Sequence, residues 1–200
     1  MNGPSLQEAD TPRQSENAMA VQQKTLLLER LDRYDTLSAL LEDRGCNHER
    51  GDLMRFRIRA ATVDDLAFAR RLTCQNMLRY YLQHDLLWQD EAFDIAWPER
   101  ESWLIVQGDT PVGFFSLSRD RRALYIRELQ IVGAFQRQGA GAWAIDQIIN
   151  MAKAEKRPAV RLTVFDTNPA RNLYERKGLR VQGNDECFLR MQLDIGTALL

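Results

Sequence analysis

Residues that bind metals or carry redox chemistry are scarce in this chain. It has two histidines, His48 and His84, and three cysteines, Cys46, Cys74 and Cys187, which stand far apart and form no CxxC pair. Such spacing excludes a closely spaced Cys/His zinc cluster and a paired-thiol motif, so no metal is expected and all three cysteines read as reduced thiols. Charge of one sign is lacking too. With 27 Lys and Arg against 28 Asp and Glu the net charge is -1, and no global field draws the chain to nucleic acid or to an anionic membrane. No apolar run approaches the roughly 18 residues of a membrane span. Met1 to Ala20, with Glu8, Asp10 and Glu16, has neither the basic start nor the apolar stretch of a secretory signal. The expectation is a cytoplasmic protein with neither nucleic acid nor membrane as partner.

What is present is enough apolar material, 44% of 200 residues, for one ordinary domain with an appendage. Residues 1–20 have the polar, aperiodic composition of a disordered arm. Residues 21–53 read as an amphipathic helix and a linker. Leu27, Leu31, Tyr34, Leu37 and Leu41 share one side of the helix, Gly45 can end it, and Asn47 to Asp52 is polar. That stripe either packs on its own domain or serves a partner contact, such as a homodimer. The main domain spans residues 54–200.

Within it the period changes repeatedly. Phe56, Ile58 and Ala60 alternate with arginines, as in a half-buried strand. Thr62 and Asp65 resemble a capping box before a helical stripe of Leu66, Ala69 and Leu72. A second helix is expected over about Asp90 to Trp97, and the aromatic stretch Tyr80 to Trp88 between them is left unassigned. Trp103–Val106 and Val112–Leu117 flank the turn signal Gly108-Asp109-Thr110-Pro111 and predict a hairpin. Leu124–Val132 reads as a further strand. A helix on Ile145, Ile148, Ile149 and Ala152 follows, then a strand on Val160, Leu162 and Val164. Asn168-Pro169 starts another helix that Gly178 can end, and Phe188–Leu193 closes the domain as a strand.

Between the Leu124–Val132 strand and the next helix lies Gly133-Ala134-Phe135-Gln136-Arg137-Gln138-Gly139-Ala140-Gly141-Ala142. A strand that feeds small residues into a helix N-terminus presents unpaired N–H groups, and the positive end of the helix dipole, to an anion such as a pyrophosphate. Arg137 can add a charged contact. Neither the GxGxxG of dinucleotide sites nor the GxxxxGK[ST] of P-loops is present.

Gln136 to Gly141 instead resembles the (Gln/Arg)-x-x-Gly-x-(Gly/Ala) signature of the GNAT superfamily of N-acetyltransferases, and the flanks agree from about Met54 to Asp194. Tyr125–Val132 looks like the family's fourth strand. Asn168-Pro169-Ala170-Arg171-Asn172-Leu173-Tyr174-Glu175-Arg176-Lys177-Gly178-Leu179 resembles the segment after its fifth, and Val112-Gly113-Phe114 the start of its third. Gly133, Gln138 and Leu179 depart from the common proline, basic residue and phenylalanine. The resemblance implies an α/β fold of α+β character. Its sheet would be mixed, largely antiparallel and of about six to seven strands, flanked by helices, with strands four and five splayed around a cleft for CoA.

The resemblance also implies roles. Acetyl-CoA would be the co-substrate, with its pantetheine arm along the backbone of Ile131, Val132 and Gly133 and its pyrophosphate on Gln136, Arg137, Gln138, Gly139, Ala140, Gly141 and Ala142. Asn168 would bond the pantetheine, or cap the helix before Pro169, or both. An amine of a small molecule or protein would attack the thioester carbonyl through a tetrahedral oxyanion. A lysine-like amine of pKa about 10.4 must first lose a proton, at a cost of about 4.6 kcal/mol at pH 7. Glu128 is the candidate base, on the strand face opposite Leu129 and Ile131, unless it only pairs with Arg127 or Arg161. Tyr174 sits where the family places the acid that serves the leaving thiol. The acceptor pocket would fall within Leu78 to Trp97. Tyr81, Trp88 and Trp97 would line it, and His84, Asp85, Asp90 or Glu91 would attract a cation. A different class, a non-catalytic acyl-CoA-binding or protein-interaction module with the same fold, is the alternative.

Overall fold

The computed structural model describes residues 56–196. The arm, the Leu27–Leu41 stripe and the linker of the sequence reading lie outside those residues.

The first strand, β1 (Phe56–Ala60), leads into a 3-10 turn at Val63–Asp65 and then α1 (Leu66–Gln83). Asp65 makes the capping contact expected of it, accepting the Thr62 N–H at 2.8 Å. The helix runs further than its apolar stripe suggested, because Tyr80 and Tyr81 at its end pack on Phe165 with ring centroids 5.7 and 5.5 Å away. Aromatic side chains held against a sheet keep a helix going past the point where local propensity would let it fray. Asp85, at φ 53, breaks it.

A short helix α2 (Asp90–Ala96) follows, tied to α1 by Arg70 and Asp94. Then come β2 (Glu101–Gln107) and β3 (Thr110–Arg119), joined by a turn that holds Gly108 at φ 58, a conformation glycine adopts freely. After β4 (Leu124–Ile131) the chain alternates α3 (Ala140–Ala154), β5 (Ala159–Phe165) and α4 (Ala170–Arg176), and ends in the hairpin of β6 (Arg180–Asp185) and β7 (Phe188–Asp194). Sequence periodicity did not reveal β6. It is an edge strand with almost every residue exposed, so no buried face marks it.

The seven strands form one sheet in the order β1-β2-β3-β4-β5-β7-β6. Every neighbouring pair is antiparallel except β4 and β5, which run parallel and touch only through Leu124, Ile126 and the residue between them, opposite Val160 to Leu162. Beyond Ile126 the two strands part.

A bulge explains the parting. Ser116 pairs with Glu128 but Leu117 pairs with Ile126, so Arg127 is an extra residue in β4. It bends the strand and resets its alternation. Leu124 and Ile126 share the α3 face with Leu129 and Ile131, where Ile145, Ile148 and Ala144 of α3 complete the core. Glu128 and Gln130 are thereby turned to the α1 face. An unbroken pleat would have put Glu128 beside Ile126, inside the apolar core.

Candidate active site

The site is built where β4 and β5 separate. Val132 donates its N–H to Val112 O at 2.9 Å within the β3–β4 ladder, so strand alternation turns the N–H and C=O of Ile131 the other way, into the gap. The Ile131 carbonyl accepts two side-chain amides, Asn76 Nδ2 at 3.1 Å and Gln136 Nε2 at 3.0 Å. Val132 and Gly133 give their carbonyls to Phe135 and Gln136 in a 3-10 turn. Gly133 opens that turn with φ outside the left-handed region and open space around it, so the proline common in the related signature would be tolerated there.

The loop next tightens. Arg137 takes φ 58 and Gly139 φ 92, and Gly139 stands as the N-cap of α3. The first helical bond runs from Trp143 N–H to Gly139 O, at 2.9 Å. The N–H groups of Ala140, Gly141 and Ala142 therefore have no helical acceptor, and no side chain caps them. A Cβ built on Gly139 would meet nothing within 4 Å, which leaves the backbone open to an anion. Gly141 serves packing as well: a Cβ there would lie 3.2 Å from Leu173 Cδ2, so its absence lets α3 approach α4. These features fit a diphosphate. Arg137 is exposed at the rim, while the Gln138 amide bonds Ala134 O and closes the loop on itself.

Across the gap, α4 presents Tyr174, 7% exposed, whose hydroxyl has no hydrogen-bond partner among the described residues. Burial, reinforced by the Glu128 charge, pushes its pKa far above the usual tyrosine value. Glu128 accepts Arg100 Nη1 at 3.2 Å and Gln130 Nε2 at 3.1 Å. Burial raises its pKa, and these two partners hold the rise back. Tyr81 belongs to the same constellation, its pKa raised by burial and the Glu128 charge and lowered by Arg100. The pairing considered from sequence is corrected: Glu128 bonds Arg100, while Arg127 donates to Ser118 Oγ at 2.7 Å and Arg161 to Gln192 Oε1 at 2.6 Å. Arg127, the extra residue of the bulge, reaches along the strand to Ser118 and lies over the Tyr125 ring, 4.9 Å from its centroid, rather than toward Glu128.

On the acceptor side, Tyr81 packs edge-on against Trp88 at 5.5 Å. Trp88 is buried, 8% exposed, and gives its indole N–H to Asp90 Oδ1 at 2.7 Å. Trp97 lies with Phe93 against Phe114 in the core under α2. His84 stacks on Phe165 with its Nε2 3.6 Å from Asp166, and Glu91 stands exposed on α2. Asn168 performs the capping role, its Oδ1 accepting Ala170 N–H at 2.9 Å.

Three side chains of this constellation escaped sequence reasoning. Gln130 carried a signal, two positions after Glu128 on the same pleat face. Arg100 and Asn76 reach the site only through tertiary packing. A surface concavity of about 550 Å³ elsewhere, lined by Asp146, Lys153, Lys177 and Asp194 among others, shares no residue with this gap.

The model of the acetyltransferase (GNAT) family matches residues 69–179, more than half of the chain. Solved structures share the fold at low identity. The PaiA N-acetyltransferase of Thermoplasma acidophilum, in complex with coenzyme A, has a TM-score of 0.58 and 15% identity, over 71% of this chain and 100% of that one. Ard1 of Thermoplasma volcanium gives 0.57 and 19%, over 71% and 99%. A GNAT acetyltransferase of Elizabethkingia anophelis with acetyl-CoA bound gives 0.50 and 15%, over 71% and 99%.

Proposed function

Because this chain belongs to the GNAT family of acetyltransferases, we propose that it moves an acetyl group from acetyl-CoA to a primary amine of a small molecule or protein. The observation that carries the reading is the convergence of Glu128 and Tyr174 on a gap whose edge is the Ile131 backbone and whose end is the uncapped N-terminus of α3.

The backbone N–H groups of Ala140, Gly141 and Ala142 hold the CoA pyrophosphate, with Arg137 at the rim. Acetyl-CoA supplies an acyl group already activated as a thioester. The protein's part is to manage two protons: one leaves the amine as the N–C bond forms, and one reaches sulfur as the C–S bond breaks. Glu128 takes the first. Burial makes it a stronger base than a surface glutamate, and the Arg100 and Gln130 hydrogen bonds keep the ionised form accessible. Tyr174 serves the sulfur. Its raised pKa keeps the proton on oxygen, and a thiolate of pKa about 8.5 is too weak a base to remove it outright. Its contribution is a hydrogen bond that strengthens as charge gathers on sulfur, while the proton that finally reaches the thiol comes from solvent.

Thiol release from acetyl-CoA across a panel of amines and peptides tests this. Tyr174→Phe is expected to lower kcat about 10²-fold while calorimetry shows acetyl-CoA bound as before. Equal rates in the two proteins would remove Tyr174 from the mechanism. Failure of every acceptor with acetyl-CoA still bound would favour a binding module.

A further inference from the structure

One hydrogen-bonded chain runs from the edge of the gap to the carboxylate within it. Asn76, on α1, uses its single Nδ2 twice. It donates to the Ile131 carbonyl at 3.1 Å and to Gln130 Oε1 at 3.1 Å. Gln130 is 6% exposed, and its Nε2 donates to Glu128 Oε2 at 3.1 Å. The first contact decides the second. With its oxygen facing the Asn76 amide, the Gln130 carboxamide can present only its nitrogen to Glu128. The other lone pair of the Ile131 carbonyl is taken by Gln136, from the loop at the start of α3.

We propose that Asn76 is a positioning residue that ties the donor's track to the general base, holding the Ile131 carbonyl with one N–H and, through Gln130, the Glu128 carboxylate with the other. The proposal rests on the acetyl-transfer reading for the names of those two parts. Loss of Asn76 frees the Gln130 amide to turn its oxygen toward Glu128, which replaces a donor by a like partial charge. It also releases a buried carbonyl at the edge where the pantetheine would lie, and the strand end loses an anchor to α1.

The groups that face Glu128 are Arg100 from the segment before β2, Tyr81 from α1, Tyr174 from α4 and Gln130 on β4 itself. Asn76 hydrogen-bonds none of the three titratable ones, so its bonded route to Glu128 passes through Gln130.

The test uses the full chain with Asn76→Ala, Gln130→Ala and the double variant. Titration of the Glu128 carboxylate by carbon-13 NMR, assigned with Glu128→Gln, needs no turnover. Asn76→Ala is expected to raise the midpoint by about 0.5–1 pH unit, Gln130→Ala to raise it similarly, and the double variant to add nothing further. By calorimetry Asn76→Ala should weaken acetyl-CoA about threefold to tenfold, and Gln130→Ala should not. An unmoved midpoint, an additive double variant or an unchanged affinity in Asn76→Ala overturns the proposal. Should that variant unfold, Asn76→Ser takes its place. If the parent protein binds no acetyl-CoA, the acetyl-transfer reading fails, and the titration still decides whether Asn76 governs Glu128.

Discussion

Asp65 and Glu128 each face an arginine, at 2.8 and 3.2 Å, yet their surroundings drive the two carboxyl groups in opposite directions. Asp65 is gripped on both oxygens by the Arg59 fork, each bond 2.8 Å, and also accepts the Thr62 N–H. Its pKa falls from 3.8 to about 2, with the Arg59 hydrogen bonds as the main cause. Glu128 has one longer bond to Arg100 and one to Gln130, and there burial outweighs both partners. The lesson lies in geometry rather than in residue type. A bidentate pair at the end of β1 fixes the turn into α1, whereas a desolvated carboxylate with one bond to its arginine keeps basicity to use.

The sharpest way to break this comparison is Glu128→Gln. It should lower kcat/KM for the amine about 10²-fold. Its thermal midpoint should stay level or rise, because ionised Glu128 costs the folded state free energy at neutral pH. A variant that kept its activity and lost stability would make Glu128 another Asp65, a structural group.

How far the sequence reveals this contrast depends on whether the cause is local. Every strand but β6, the loop after β4 and the helix starts follow from period and turn chemistry, and they occur where those signals stand. The Asp65 cap is legible for the same reason, three residues from Thr62. Spacing also carried the bulge, since Leu124, Ile126, Leu129 and Ile131 step by two, three and two, although only the strand register shows that Arg127 absorbs the slip. Arg100 and Asn76 lie 28 and 54 residues from their partners Glu128 and Gln130, and no periodicity encodes such contacts. Trp88, read as an acceptor contact, packs between Tyr81 and Phe93, neighbours that no local signal announces. Edge strand β6 was silent because its residues are mostly exposed.

A smaller effect is expected where backbone shape, rather than charge, does the work. Gly139→Ala places a Cβ in open space but at φ 92, so the cost is conformational, about 1 kcal/mol. The loop can relieve it only by moving the N–H groups that begin α3, and acetyl-CoA should bind about fivefold more weakly by calorimetry. Unchanged binding would mean that the loop is not the donor's anchor, and the case for a functional Glu128 would lose its neighbour.

The smallest effect comes from acid, and it sets the two carboxylates against each other directly. Asp65 has a folded pKa below its unfolded one, so its contribution is fully present above pH 3.8 and is lost as pH falls through about 2. Arg59 is 46% exposed, which screens the pair and limits the contribution to about 1 kcal/mol. Glu128 has the opposite sign: its folded pKa is raised, so protonation relieves a cost, and that cost returns as pH rises through the raised value. Urea midpoints at a series of pH values, for the parent, Asp65→Asn and Glu128→Gln, separate the two. The gap between parent and Asp65→Asn should close on going from pH 4 to pH 2. The gap between parent and Glu128→Gln should be nearly closed at low pH and open in favour of the variant toward neutral pH. Parallel curves for all three would show that neither carboxylate has the environment its contacts describe.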